Sequence, residues 1–413
     1  MHALRLHLAL TVLCISAACT RDSADKAPAN APSEGQTTPA AAATPEIKIG
    51  QTMPYSGPAS AYSTIGKLQA AYFKKINDAG GVGGRKINFM SLDDGYSPPK
   101  AVEQARKLVE QDQIDLMFQA LGTPSNSAIH KYMNQKQVPH LFVSSGATKW
   151  GDPQNYPWTI GFNPSYQVEG RVYAKHILDN SPKAKIAVLY QNDDYGKDVL
   201  KGLKDGLGDK ADKMIIKEAT YEVSDPTVDA QIATLKSSKA NVFVNIATPK
   251  FAAQAIRKVH DIGWKTTQYL NNVAASVGAV LTPAGLDKSV GLITAVYVKD
   301  VTDKQWDNDP GVNKFKEFMK QYYPDGNLLD GSNAYAYIAA QTLEQVLKQC
   351  GSDFSKQNIM KQAANLKDFT PDLLAPGIKI NTSPSDFFLF DQLQLAKFDG
   401  KIWQTEGDVI KVD

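Results

Sequence analysis

Three loops carry residue types that could hold a small ligand. The runs Gly122-Thr123-Pro124-Ser125 and Ser144-Ser145-Gly146-Ala147-Thr148 combine hydroxyls with small residues, and each follows a short apolar run that reads as a buried strand. In a wound α/β sheet the carboxyl ends of the strands face the ligand crevice. Hydroxyls and free N–H groups there, with a helix dipole behind them, suit a carboxylate or another acceptor-rich group. Simple capping is the plainer use, and Thr123 with Pro124 reads as an N-cap and N1 pair. Ser56-Gly57-Pro58, followed by Tyr62, ends the first strand and adds an aromatic wall. Tyr195 follows a strand over 186–190, where it either closes on the same crevice or lies in solvent.

Other chemistry finds less support. Asp93-Asp94 and Asp193-Asp194 fall at strand ends, where acid pairs can serve metal or acid–base chemistry but more often cap helices or face solvent. A hydrolase or transferase built on them lacks a nucleophile. The sequence has no Gly-x-Ser-x-Gly elbow, no His-Glu-x-x-His and no Cys–His pair. His2, His7, His130, His140, His176 and His260 show no metal-ligand spacing. Gly80-Gly81-Val82-Gly83-Gly84 follows a helix and opens a strand, the reverse of a nucleotide loop, so it reads as a helix C-cap and turn. No enzyme activity, metal or cofactor is expected.

Positioning these loops requires an alternating scaffold. From Glu46 the pattern runs strand 47–50, a helix face at Ile65, Leu68, Ala71, Tyr72 and Ile76, strand 87–92, helix 101–110, strand 114–118, a helix to about 134, and strand 138–143. It restarts after Tyr166 with helices 168–178, 197–207, 228–235 and 251–262 alternating with strands 186–190, 214–216, 242–246 and 268–270. A helix over 333–349 and a β-rich end, alternating at Phe388, Phe390, Leu393 and Leu395, complete the chain. The alternation predicts an α/β fold of two wound, mostly parallel sheets in series.

The chain's 413 residues exceed what one core usually fills, so two domains are expected. A formal net charge of +2 gives no argument for nucleic acid. Arg5, the apolar run Leu8–Ile15 and Ser16-Ala17-Ala18-Cys19 read as an export signal over 1–18 with a lipobox-like end, so that Cys19 becomes a lipidated N-terminus; plain cleavage near Ala18 is the alternative. Residues 20–45, rich in Ala, Pro, Ser and Thr, read as a disordered linker. Cys350 follows an apolar helix pattern and reads as a packed core thiol.

Several fragments in order carry a resemblance: Ser56-Gly57-Pro58-Ala59, Ile76-Asn77-Asp78-Ala79-Gly80-Gly81-Val82 with Gly84, Leu92-Asp93-Asp94 with Pro98, and Val138-Pro139. They continue in Asn192-Asp193-Asp194-Tyr195-Gly196, Asn381-Thr382-Ser383-Pro384-Ser385-Asp386, and Phe398-Asp399-Gly400-Lys401 with Trp403. On these, residues 46–413 resemble the periplasmic leucine/isoleucine/valine-binding proteins of ABC importers. The resemblance implies two lobes joined by a three-crossing hinge, 46–164 with 296–374 and 165–295 with 375–413, that close on a ligand. It implies ligand contacts at Gly122, Thr123, Ser145 and Ala147, with Thr148 adjacent, and at Tyr62, Tyr195 and Thr248. The acid that pairs with an amino acid's ammonium in such proteins falls here on Asn272. An uncharged Asn cannot offset a buried cation, so an amide, urea or aromatic carboxylic acid suits the site better than a standard amino acid. The implied setting is the periplasm, as a monomer on a lipid anchor, with an ABC transporter permease as partner. A ligand-sensing receptor of the same fold is the alternative.

Overall fold

The computed structural model describes residues 46–411. The segments read as an export signal and a linker, with Cys19 between them, lie outside the described residues. In chain order the first elements are β1 (Ile47–Met53), α1 (Ser63–Asp78), β2 (Ile87–Asp93), α2 (Pro98–Arg106), β3 (Leu116–Phe118), α3 (Thr123–Gln135), β4 (His140–Val143) and β5 (Thr159–Gly161). Next come α4 (Tyr166–Asn180), β6 (Ile186–Gln191), α5 (Asp194–Leu207), α6 (Ala211–Met214), β7 (Ile215–Tyr221), α7 (Asp229–Ser237), β8 (Val242–Ile246), α8 (Pro249–Asp261), β9 (Thr267–Leu270), α9 (Thr282–Ala284) and β10 (Ile293–Val296). The chain ends with α10 (Pro310–Tyr322), α11 (Gly331–Gln349), α12 (Lys356–Ala363), β11 (Gln392–Phe398) and β12 (Trp403–Lys411).

The strands form two sheets, in the orders β2-β1-β3-β4-β5 and β12-β11-β10-β9-β8-β6-β7. The first is parallel throughout. The second is parallel from β7 to β10 and antiparallel across β10, β11 and β12. Helices cover both faces of the central strands, which is why β8 is buried at every position and reads as an unbroken apolar run apart from Asn245. Helices α10 and α11 turn back to the first sheet's side, where Tyr72 of α1 meets Phe318 at 5.7 Å and Tyr337 at 5.3 Å between ring centroids. The chain therefore passes between the halves three times: after β5, after β10 and before β11.

Several boundaries differ from the sequence reading. Helix α2 starts at Pro98 and ends in a π turn over Lys107–Gln111. Strand β7 extends to Tyr221, on alternation too weak to register because the edge strand is mostly solvated. Phe388 and Phe390 precede β11 rather than belonging to it. Phe390 instead packs between the halves, against Phe162 at 5.9 Å and Tyr297 at 5.0 Å. Strands β5 and β10 and helices α6, α9, α10 and α12 have no counterpart in the sequence reading. Cys350 is buried at the end of α11, as read.

Helices α4 and α5 touch backbone to backbone through glycine. A Cβ on Gly170 would lie 2.4 Å from the Leu203 amide nitrogen and the Val199 oxygen, and one on Gly202 would lie 2.2 Å from the Gln167 oxygen. This contact sets the N-termini of both helices, and with them Tyr166 and Tyr195, whose ring centroids are 5.1 Å apart. Gly202→Val should lower unfolding stability by about 1–3 kcal/mol through overpacking, read by chemical denaturation. An unchanged midpoint would show that the helices can separate at no cost.

Candidate functional site

Buried amides build the floor of the site. Gln51 Nε2 donates to Gln69 Oε1 at 2.6 Å, Gln69 Nε2 to Gln119 Oε1 at 3.4 Å, and Gln119 Nε2 to the Phe142 carbonyl at 2.5 Å. Phe142 stands at φ 56°, where the β4–β5 register shifts. Such an irregularity re-aims the chain beyond it, and here that chain is Ser144-Ser145. Gly122, at φ 98°, occupies the cap position of α3, and a Cβ there would lie 2.4 Å from the Tyr96 ring. Only glycine fits.

Above this floor lies a cavity of about 470 Å³ between the two sheets. Six tyrosines line it, Tyr62, Tyr96, Tyr166, Tyr195, Tyr297 and Tyr335, with Gly122, Thr123, Ser144, Asn163, Thr248 and Asn272. The N-termini of α3, α4, α5 and α8 converge here, at Thr123, Tyr166, Tyr195 and Thr248. First-turn N–H groups have no acceptor within their helices. Two of the lining residues carry a polar atom that is buried without a protein partner: Tyr195 Oη and Asn272 Nδ2. Burial raises the Tyr195 pKa well above the ordinary phenol value, so the group stays neutral. The charged residues of the lining, Lys299, Asp300, Asp303 and Asp408, all belong to the segment after β10 or to β12.

Six of the residues expected from sequence, Tyr62, Gly122, Thr123, Tyr195, Thr248 and Asn272, line this one cavity. Four do not. Ser56 is held at the first strand's end, its N–H and hydroxyl donating to Asp93 at 3.1 and 2.6 Å. Ser145 is a buried support: its Oγ lies 2.7 Å from Thr123 Oγ1 and accepts from Trp150 Nε1 and the Ala147 N–H. Thr123 is thus the first helical residue rather than the cap, and its hydroxyl serves Ser145 and the cavity. Ala147 and Thr148 lie at a rim, where the Thr148 N–H and hydroxyl donate to Asp198 Oδ2 of α5 at 2.7 and 2.8 Å. Of the acid pairs, Asp193 caps α5 by accepting from the Tyr195 and Gly196 N–H groups, and Asp94 accepts from the Tyr96 N–H. Among the described residues no cluster of His, Cys, Asp and Glu could hold a metal ion.

The sequence reading missed Tyr96, Tyr166, Tyr297 and Tyr335. Tyr96 and Tyr297 each follow a strand's carboxyl end, the signal that singled out Tyr195. Tyr335 sits inside α11 and has no such mark.

The opposite rim is also bridged. Tyr62 Oη donates to the Val273 carbonyl at 3.0 Å, Ser276 Oγ to Asp330 Oδ1 at 2.8 Å, and the Gly278 N–H to the Leu329 carbonyl at 2.7 Å. With Thr148–Asp198, these hydrogen bonds join the halves beside the cavity, which stays open to the surface at Leu328, Leu329 and Asp408.

A family model described as "Periplasmic binding protein" matches residues 46–401. A relative from Brucella abortus, named Leu/Ile/Val-binding protein homolog 1, is 27% identical over 338 residues, 79% of this chain and 85% of its own. A branched chain amino acid ABC transporter protein from Thermus thermophilus, solved with bound valine, superposes with a TM-score of 0.79 at 15% identity over 89% of this chain and 97% of its own. A fatty acid ABC transporter substrate-binding protein from Thermomonospora curvata superposes with a TM-score of 0.75 at 21% identity, over 89% and 93%. At these identities the two structures speak for the fold alone.

Behind Asn272 lies a carboxyl that the sequence did not single out. Glu169 of α4 is fully buried; its Oε1 accepts from the Asn272 N–H at 2.6 Å, and its Oε2 has no partner. Tyr173 Oη lies 2.6 Å from Glu169 Oε1 and 2.8 Å from the Leu270 carbonyl, and it has one proton to give. A protonated Glu169 supplies the second. Burial indeed pushes its pKa up to about 7, from an ordinary 4.5. Between those values the native state keeps a proton that the unfolded state has lost, so this group's contribution to stability falls as pH rises through the window. His130 and His140, held neutral down to about 4 and about 3 by burial, tilt the profile the other way, so the comparison must be with a variant. Relative to wild type, Glu169→Gln should gain stability as pH rises through this window, by up to ~3 kcal/mol, in denaturation series at several pH values. Parallel profiles would mean that Glu169 titrates like an exposed carboxyl.

Proposed function

The chain belongs to the periplasmic binding protein family, and from that premise we propose that it captures one small organic solute outside the cytoplasm and delivers it to an ABC importer's permease. The observation that carries this reading is the tyrosine-lined cavity between the halves, with Tyr195 and Asn272 in its lining and their Oη and Nδ2 atoms buried without partners. A buried polar atom left unpaired costs about 1–3 kcal/mol, and a bound ligand offering acceptors removes that cost. Contacts to both halves would favour the closed form by their differential affinity. Among the described residues no helix is long and apolar enough to cross a membrane. A lipid on Cys19 and the 20–45 linker would tether the domain near its permease.

The ligand's inner end meets neutral groups. Asn272 stands where amino-acid binders carry an acid, and Glu169 behind it is neutral below about pH 7. Relatives are named for leucine, isoleucine and valine, yet this lining suits an amide or an organic carboxylate better than an ammonium. Thermal unfolding with leucine, valine, small amides and aromatic acids tests the reading. A ligand of the native state at a hundred times its dissociation constant adds about 2.7 kcal/mol. Tyr195→Phe should weaken the binder found by about three- to tenfold, the worth of one hydrogen bond, while raising the unliganded midpoint, because the unpaired hydroxyl is gone. Equal affinity in wild type and variant would remove Tyr195 from the site.

A further inference from the structure

The cavity is longer than an amino acid. Its lining runs from Tyr195, just after β6, to Thr405 and Val409 in β12. In the sheet order β6-β8-β9-β10-β11-β12 these lie five strand spacings apart, about 24 Å at ~4.8 Å each. One amino-acid residue spans at most ~3.6 Å of extended chain. A volume of about 470 Å³ is likewise within the ~300–1,000 Å³ typical of sites for drug-sized ligands.

The two ends differ in chemistry. The inner end offers Thr123, Tyr195 and Asn272 as donors beside the N-termini of α3 and α8. The outer arm is walled by Tyr297, Val298, Val301, Trp306, Trp403 and Val409. Its charged residues are already engaged or at the rim. Lys299 pairs with Asp309 at 2.7 Å, Asp300 accepts from Thr302, Asp303 accepts from Gln305, and Asp408 is exposed. A peptide threaded here would bring a polar backbone unit every ~3.5 Å, more than the few polar side chains of the arm, Gln305, Gln394 and Thr405, could pair. An apolar tail needs no partners. The lining also includes Leu328 and Leu329, which are among the exposed large apolar residues of the surface, 37% and 43% accessible. Isolated exposed leucines are ordinary, but an adjacent pair on a cavity lining makes an apolar threshold.

We propose that the cargo is an elongated amphiphile: a carboxylate or amide head at Tyr195 and Asn272, and an unbranched apolar tail along the arm toward Trp403. This rests on the solute-capture reading and names its substrate class.

Titration calorimetry of the purified protein with butyrate, hexanoate, octanoate, decanoate and dodecanoate, kept below their micelle concentrations, tests it beside leucine and benzoate. Affinity should rise about fourfold per added methylene until the arm is filled. Val409→Trp, which fills the arm, should cost decanoate tenfold or more and leave butyrate and benzoate unchanged, which also shows that the variant is folded. Binding of leucine or benzoate as tight as that of decanoate would overturn the tail and leave solute capture standing. Binding of no probe at all would overturn both.

Discussion

Two polar atoms of the cavity's lining residues, Tyr195 Oη and Asn272 Nδ2, are buried with nothing of the protein to bond. Together they leave a few kcal/mol of desolvation uncompensated. Here the surroundings hold them in place. Asp193 fixes the turn that carries Tyr195, and Glu169 fixes the N–H of Asn272. The unpaired atoms make closure without a ligand less favourable than closure around one, which is the physical requirement of a capture device.

Much of the surrounding structure serves to hold these groups at one place. The glycine contacts of α4 and α5 bring the N-termini of both helices to the cavity. Gly122 leaves room for the Tyr96 ring, and the buried glutamine chain supports the turn at Phe142 from which Ser144 and Ser145 project. On the rims, Thr148–Asp198 and Ser276–Asp330 join the halves through exchangeable hydrogen bonds. Such contacts are each worth about 0.5–1.5 kcal/mol net, weak enough to open.

The wound architecture was legible because buried parallel strands make apolar runs and helices repeat at three and four residues. The loops at strand ends were legible for the same reason, and Gly122, Thr123 and Tyr195 followed from them. Resemblance, not spacing, supplied Thr248 and Asn272. Ser145, Ala147 and Thr148 sit in the right loop, but whether a hydroxyl there faces a ligand, a neighbour or a rim depends on turns that one sequence does not reveal. Glu169 and Tyr335 lie within helices, where a polar side chain aimed inward carries no local signal. Strand β5, three residues long, is too short for a period to show.

The most direct test is a crystal structure of the protein with its tightest-binding carboxylate or amide. The account predicts ligand oxygens within hydrogen-bond distance of Tyr195 Oη and Asn272 Nδ2, with the halves joined as they are here. A ligand seated elsewhere, or one that leaves both atoms unpaired, would contradict it.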